Sequence, residues 1–191
     1  MPRPREFDEQ DAVARATELF HRRGYHATST RDLGEGLALS PSSLYRTFGD
    51  KHALFLRALD HYRCSESARC AAALGADRPV RELLRDWMSS MVGADGDGPP
   101  GCFVVNTATE LGTGDPETTW RVRAAFDGTT AALADLLRRG IADGELPADL
   151  DAEGAADLLF TTITGLRVRQ RAGDDPQRLR TAIDRALRAL N

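Results

Sequence analysis

The stretch that decides the fold is residues 28–51, which read TSTRDLGEGLALSPSSLYRTFGDK. Two short amphipathic segments lie on either side of residues 38–39. A Thr/Ser cluster at residues 28–30 can cap the first segment, and Ser40 followed by Pro41 can begin the second. Each segment has two apolar residues at helical spacing: Leu33 and Leu37, then Leu44 and Phe48. This pattern predicts a helix-turn-helix, whose second helix is short enough to enter a major groove about 12 Å wide.

The rest of the chain also has helical periodicity, and we find no alternation typical of strands. We predict an all-α fold of about nine helices. A helix-turn-helix unit over residues 1–52 is expected to join a larger helical body over residues 53–191. Besides the two segments above, cap residues and glycine stops predict these helices: Asp8 to Gly24, Asp50 to Leu74, one from Val80, Cys102 to Leu111, and three starting at Asp115, Asp151 and Asp175.

Composition narrows the class of protein. The chain has 191 residues, 41% of them hydrophobic, and a net charge of −4, which is typical of a folded globular protein. Residues 1–63 hold ten Lys and Arg against nine Asp and Glu, so the acidic excess lies in the remainder. No run approaches the ~18 apolar residues of a membrane span. The polar start at residues 1–5 lacks a signal core, and three cysteines without a CxxC pair fit a reducing compartment. We expect a cytoplasmic protein that does not bind membranes.

The second helix of the predicted helix-turn-helix presents small polar side chains opposite Leu44 and Phe48. Ser42, Ser43, Arg46 and Thr47 offer hydrogen-bonding groups, and a helix N-terminus favours phosphate. These features suit DNA recognition. Any compact three-helix packing unit can show the same spacing, so the physical pattern leaves both interpretations open.

Residues 20–33, FHRRGYHATSTRDL, and 39–54, LSPSSLYRTFGDKHAL, resemble the signature of the tetracycline-repressor (TetR) family of bacterial transcription regulators. The shared pattern is a helix ending in Leu-Phe, a Gly-aromatic pair, a Thr/Ser cluster, a turn, Ser, and Leu-Tyr-x-x-Phe-x-x-Lys. The chain departs from it at residues 38–40, Ala-Leu-Ser where the family usually has Gly-Val-Ser, and at Gly36.

The resemblance implies roles for individual residues. Ser42, Ser43 and Arg46 would approach base edges, while Tyr45, Thr47 and Lys51 would contact phosphate. Thr30 and Arg31 would contact phosphate from the preceding helix, and Ser40, the predicted cap of the recognition helix, also belongs to the expected DNA-binding residues. The partner implied is a double-stranded, pseudo-palindromic DNA operator.

The resemblance also implies that the body holds a small-molecule effector and forms a homodimer. The stretch at residues 101–106, GCFVVN, with Glu110 after it, resembles a recurring C-terminal subtype of the family. Large apolar residues with a few polar ones among them are the expected effector contacts: Trp87, Met88, Met91, Phe103, Asn106, Thr109, Glu110, Trp120, Phe126 and Phe160. The apolar stripes of the last two helices are the expected dimer interface: Leu158, Ile163, Leu166, Leu179, Ile183, Leu187 and Leu190.

We therefore predict a homodimeric repressor that an effector releases from DNA. An apolar or aromatic effector oriented by Asn106 or Thr109 is one possibility, and a cation facing Glu110 is the other. Two alternative functions stay open: a helical small-molecule-binding protein or enzyme that does not use DNA, and a redox-responsive regulator acting through Cys102. Other patterns are too weak to predict a site, so we expect no metal, cofactor or catalytic centre: His61 with Cys64 and Cys70, and the acidic pair Asp95 and Asp97.

Overall fold

A computed structural model describes residues 7–93, 99 and 101–191. Within these ranges the chain forms nine helices and no strand, which confirms the all-α prediction. The helices are α1 (Glu9–Arg23), α2 (Thr30–Leu37), α3 (Pro41–Phe48), α4 (Lys51–Leu74), α5 (Val80–Val92), α6 (Phe103–Leu111), α7 (Pro116–Ala142), α8 (Ala152–Arg171) and α9 (Pro176–Arg188).

Cap residues determine where most of these helices begin. In seven of them a side-chain oxygen just before the helix accepts a hydrogen bond from a backbone N–H of the first turn, which satisfies donors that the helix itself leaves unpaired. These caps are Asp8, Ser29, Ser40, Asp50, Asp115, Asp151 and Asp175. The helix starts predicted from these residues are confirmed.

Two hydrophobic cores are joined by the long helix α4. The first core contains apolar residues of α1, α2, α3 and the first half of α4, and Phe103, Val104 and Val122 of α6 and α7 also enter it. The second core lies among α5, α7, α8, α9 and the end of α4. The helix-turn-helix unit thus shares its core with the body. The division at residues 52 and 53 stays a prediction, since α4 runs continuously through both cores.

The apolar stripes of α8 and α9 differ from their predicted role. Ile163, Leu166, Leu179, Ile183, Leu187 and Leu190 are at most 3% exposed and pack inside the second core of the same chain. The reason is that α9 lies across α5 as well as α8, so its apolar face is already covered. Their assignment to a dimer interface is therefore wrong. Leu158 is different because 48% of it is exposed.

No helix in the described ranges has the length and apolar character that crossing a bilayer requires. The same ranges contain no group of three or more His, Cys, Asp or Glu side chains placed to hold a metal ion. Asp95 and Asp97 lie outside the described residues.

Candidate nucleic-acid interface and internal cavity

The turn between α2 and α3 is tight. Ala38 adopts the left-handed conformation, with φ of 54° and ψ of 40°, and is the one non-glycine residue with positive φ in the described ranges. Its N–H donates to Glu35 O, and Leu39 N–H donates to Gly34 O at 2.9 Å. A Cβ in this conformation costs about 1–2 kcal/mol. The usual glycine at this position of the signature avoids that cost, so the departure noted in the sequence is a local strain within an unchanged turn.

The start of α2 is fixed by a reciprocal cap. Ser29 Oγ accepts from Asp32 N–H, and the Asp32 carboxylate accepts from Ser29 N–H at 2.8 Å. Arg23, at the end of α1, also donates to Asp32 at 2.7 Å. Hydrogen bonds from Ser29 and then from Arg23 lower the pKa of Asp32 to about 2. The carboxylate therefore stays ionised at neutral pH, and it ties α2 to α1 next to the exposed face.

Helix α3 presents its predicted contact residues outward. Leu44 and Phe48 are buried, whereas Ser42, Tyr45 and Arg46 are exposed. Half-buried Ser43 and Thr47 complete this face. The cap residue Ser40 accepts from Ser43 N–H, and its hydroxyl lies 3.0 Å from the hydroxyls of both Ser42 and Ser43. The small hydroxyls thus cluster at the helix N-terminus, where a polyanion can approach closely.

Lys51, Thr30 and Arg31 lie around α3. Lys51 Nζ is 4.2 Å from the centre of the Tyr25 ring, and partial burial lowers the pKa of its ammonium group. Thr30 is half-buried at the start of α2. Arg31 is exposed and donates to Glu35 on the same helix at 2.8 Å. Helices α2 and α4 both contact α3, so these residues add hydroxyl and cationic groups on the helices next to it.

A cavity of about 590 Å³ lies in the helical body, within the size range of small-molecule sites. Residues of α4, α5, α6, α7 and α8 line it, and most of the lining is apolar. Phe126 and Phe160 form part of the wall, with ring centres 5.2 Å apart. Of the predicted effector contacts, four line this cavity: Trp87, Met91, Phe126 and Phe160.

The other six predicted contacts lie elsewhere. Met88 is fully buried in the second core, and Phe103 packs in the first core against Phe55, Tyr62 and His21. Trp120 is 63% exposed on α7, near two arginine side chains. Asn106, Thr109 and Glu110 lie on α6 but do not line the cavity. The residue types alone do not show which of the predicted side chains face the cavity.

Polar residues of the cavity were missed from the sequence. Tyr62 and Glu66, one turn apart on α4, meet Arg167 of α8, which donates to both and to Gly101 O at 2.7 Å. Burial raises the pKa of Tyr62, so its phenol stays protonated. The sequence signal that could have indicated Arg167 is its position directly after Leu166, in the apolar stripe that also contains Ile163. All three cysteines also line the cavity, Cys102 among them, and its redox role stays a prediction.

Polar links from α6, from the cap of α7 and from α8 join the body to the helix-turn-helix unit. Glu110 of α6 accepts from the backbone N–H groups of Tyr25 and His26, at 2.9 and 2.7 Å. His52 Nε2 lies 2.5 Å from Asp115, the cap of α7. Arg171 of α8 donates to the carbonyl of His21 near the end of α1. Helix α6 therefore lines the cavity on one side and, through Glu110, hydrogen-bonds the α1–α2 connection on the other.

His21 lies at the junction of these parts. It is buried, its ring stacks on Phe103 with centres 5.7 Å apart, and the Tyr62 ring packs nearly perpendicular to it. Burial, followed by the charge of Arg167, lowers the pKa of His21 to about 4. The imidazole is therefore neutral at pH 7 and acts as an aromatic packing group between α1, α4 and α6.

The position of Glu110 leads to a prediction that differs from its sequence assignment. In Glu110→Gln, one carboxylate oxygen becomes an amide that cannot accept, so one backbone N–H loses its partner. We expect the free energy of unfolding to fall by about 1 kcal/mol, while binding of small molecules in the cavity is unchanged. Chemical denaturation and calorimetric titration measure the two quantities, with exposed Glu117→Gln as control. Loss of small-molecule binding at unchanged stability would contradict this assignment and support the sequence prediction that Glu110 contacts the effector.

A helix-turn-helix with an exposed polar recognition helix, joined to a larger helical body, is typical of DNA-binding transcriptional regulators. Comparisons with known proteins agree. Residues 12–58 match the family model of bacterial regulatory proteins of the tetR family, and residues 75–188 match the tetracyclin repressor-like C-terminal domain. The chain belongs to the TetR family and is a DNA-binding transcriptional regulator.

Individual relatives cover most of the chain. The HTH-type transcriptional repressor ComR of Escherichia coli is 32% identical, over 93% of this chain and 86% of ComR. A cysteine mutant of the TetR family regulator CifR, solved with a 26-base-pair double-strand operator DNA, is 33% identical. It superposes with a TM-score of 0.90 over 99% of this chain and all of that one. A TetR regulator from Chloroflexus aurantiacus is 27% identical, with a TM-score of 0.83 over 93% and 91%.

Proposed function

We propose that this protein is a homodimeric transcriptional repressor whose α3 helices bind operator DNA and which an effector in the body cavity releases. The single observation that carries the proposal is the outward face of α3, a helix with a capped N-terminus on which Ser42, Tyr45 and Arg46 are exposed. The likeness to ComR, called a repressor, and to CifR, solved on its operator, supports it. A regulator of chromosomal genes works where the chromosome is, so a cytoplasmic location belongs to the proposal.

The proposed roles of the contact residues fit their positions. Arg46, Ser42 and Ser43 lie along one side of α3 and would reach base edges in the major groove. Tyr45 and Thr47 flank this side, and Lys51 begins α4, so they would bind phosphate on the two rims. Thr30 and Arg31 would bind phosphate at the start of α2. The proposal assigns no catalytic role to any residue.

A corrected dimer surface accompanies this proposal. The outer face of α8 carries small and apolar residues at intervals of three and four, all of them exposed: Gly154, Leu158, Thr161, Gly165 and Val168. A Cβ built on Gly165 would meet nothing within 4 Å, so another helix can approach this face closely. The exposed face of α9 is mainly charged. We infer that α8 packs against its own copy about a two-fold axis.

Helix α6 is the proposed route from effector to DNA. Its residues Val104 and Val105 line the cavity, and Glu110 holds the backbone of Tyr25 and His26. An effector that moves α6 would shift the helix-turn-helix unit and change the separation of the two α3 helices. Operator and effector then oppose each other with a reciprocal coupling, typically about 1–3 kcal/mol.

Two substitutions test the DNA-binding face. We expect Arg46→Ala to weaken specific binding by about 1–3 kcal/mol and to relax selectivity at one base pair. We expect Lys51→Ala to weaken binding to all sequences and to lower the slope of log affinity against log salt by about one unit. Fluorescence anisotropy across a salt series measures both. Arg15→Ala, which removes an arginine paired with Asp11 on α1, is the control. Parent-like binding by both variants would contradict this placement of α3.

A further inference from the structure

Three side chains that line the cavity each carry a buried N–H donor that has no hydrogen-bond partner among the residues that the structure describes. They are Trp87 Nε1, Arg63 Nε and Arg167 Nε. Only six buried side-chain nitrogen or oxygen atoms in the described ranges are in this state, so half of them belong to lining residues of one cavity. Buried polar groups are normally paired, and a cluster of exceptions calls for a physical reason.

The surroundings of these donors fix them in place. Trp87 is 3% exposed and can only donate through its indole nitrogen. The other nitrogens of Arg167 are occupied, because Nη1 donates to Glu66 and Nη2 donates to Tyr62 and Gly101. Arg63 is likewise anchored through Nη1 to Asp60 at 2.8 Å. Folding therefore uses the ends of both guanidinium groups and leaves each Nε–H for another partner.

Unpaired donors select for a ligand that brings acceptors. A hydrocarbon in this cavity would leave all three N–H groups unsatisfied, whereas an oxygen acceptor could pair with those that it reaches. The charged lining residues are Arg63, Arg167 and Glu66, and the Glu66 carboxylate already pairs with Arg167 and Arg69. A cation would thus meet two guanidinium groups and a carboxylate that is not free. The charges of the lining therefore favour an uncharged or anionic effector over the cation that Glu110 suggested from sequence.

We propose that the effector is a largely apolar molecule with a carbonyl or carboxylate oxygen that accepts hydrogen bonds from Trp87 Nε1–H and Arg167 Nε–H. Apolar contacts with Met91, Phe126 and Phe160 hold the rest of the molecule. This inference rests on the proposed effector role of the cavity and adds its chemical class.

Four naphthalene probes of similar size test this class by calorimetric titration of the full chain. They are 2-acetylnaphthalene, 2-naphthoate, the hydrocarbon isostere 2-isopropenylnaphthalene, and the cation 2-(aminomethyl)naphthalene. We expect the ketone or the carboxylate to bind about five- to tenfold tighter than the hydrocarbon, and the cation to bind most weakly. The comparison of ketone with carboxylate decides between a neutral and an anionic effector.

The Trp87→Phe variant locates the preference, since it keeps an aromatic ring and removes the donor. It should lower affinity for the preferred oxygen probe about three- to tenfold and leave hydrocarbon binding unchanged. Met88→Leu is the control, because Met88 lies next to Trp87 in the core, does not line the cavity and carries no donor. If Trp87→Phe does not fold, Arg167→Lys serves instead, because it removes the second Nε–H that the proposal names and keeps the positive charge beside Glu66.

The outcomes separate the two proposals. Equal binding of ketone and hydrocarbon, tightest binding of the cation, or an oxygen preference that survives in the donor-deleted variant would overturn the inference and leave an effector cavity of another chemistry. Binding by none of the four probes would overturn the effector role of the cavity itself.

Discussion

The Leu158→Glu variant is expected to be a folded monomer with operator affinity at least about 100-fold below that of the parent. Leu158 is 48% exposed on the outer face of α8, so a charge there does not disturb the fold of one chain. In a two-fold dimer the same residue occurs on both copies, so two carboxylates would meet where apolar surface packed. Loss of the dimer removes the second half-site contact, and avidity of that kind reaches 10²–10⁴.

Sedimentation equilibrium and fluorescence anisotropy measure the two parts of this prediction. Arg180→Glu on the exposed face of α9 is the matched control, because it also adds a negative charge to a surface helix. It should remain dimeric and bind operator normally. A Leu158→Glu protein that stays dimeric with full operator affinity would show that another face joins the protomers.

The second large effect is on folding. We expect Ile183→Asp to lower the free energy of unfolding by at least about 4 kcal/mol, because it opens a cavity and buries an unpaired carboxylate. Ile183 is 1% exposed and lies between α9 and the rest of the second core. Most domains have only about 5–15 kcal/mol of stability, so much of the variant would be unfolded.

Urea denaturation followed by circular dichroism measures this loss. Arg185→Ala, two residues away on the exposed face of α9, should change stability by no more than about 0.5 kcal/mol. If Ile183→Asp were a stable, folded monomer, the side chain would face a second copy, as the sequence alone suggested. The pair Leu158 and Ile183 thus separates interface from core.

Local chemistry made the helices and the DNA-binding face predictable. Asp8, Ser40, Asp50 and Asp115 each satisfy N–H groups of the turn that follows, and this requirement is visible in a short stretch of sequence. On α3, buried Leu44 and Phe48 fix the opposite side as the exposed one. The positions of Ser42, Tyr45 and Arg46 on the surface follow from those two residues.

The cavity could not be predicted in the same way, because it depends on which helices are neighbours. Met88 and Trp87 are adjacent in sequence, yet only Trp87 lines the cavity. An apolar stripe shows that a helix face is covered and does not show by what, which is why the stripe of α9 suggested a partner chain. Glu110 was equally ambiguous, since its ligands are backbone N–H groups more than 80 residues away.

The central claim is that the exposed face of α3 recognises a specific operator as part of a two-fold dimer. Selection from a pool of random duplex DNA with the purified 191-residue chain tests it most directly. We predict enrichment of one pseudo-palindromic sequence, with half-sites about one helical turn apart or somewhat wider, and with affinity that falls steeply as salt rises. Failure to enrich any sequence over repeated rounds at low salt, or enrichment of a single unpaired half-site bound by one chain, would contradict it.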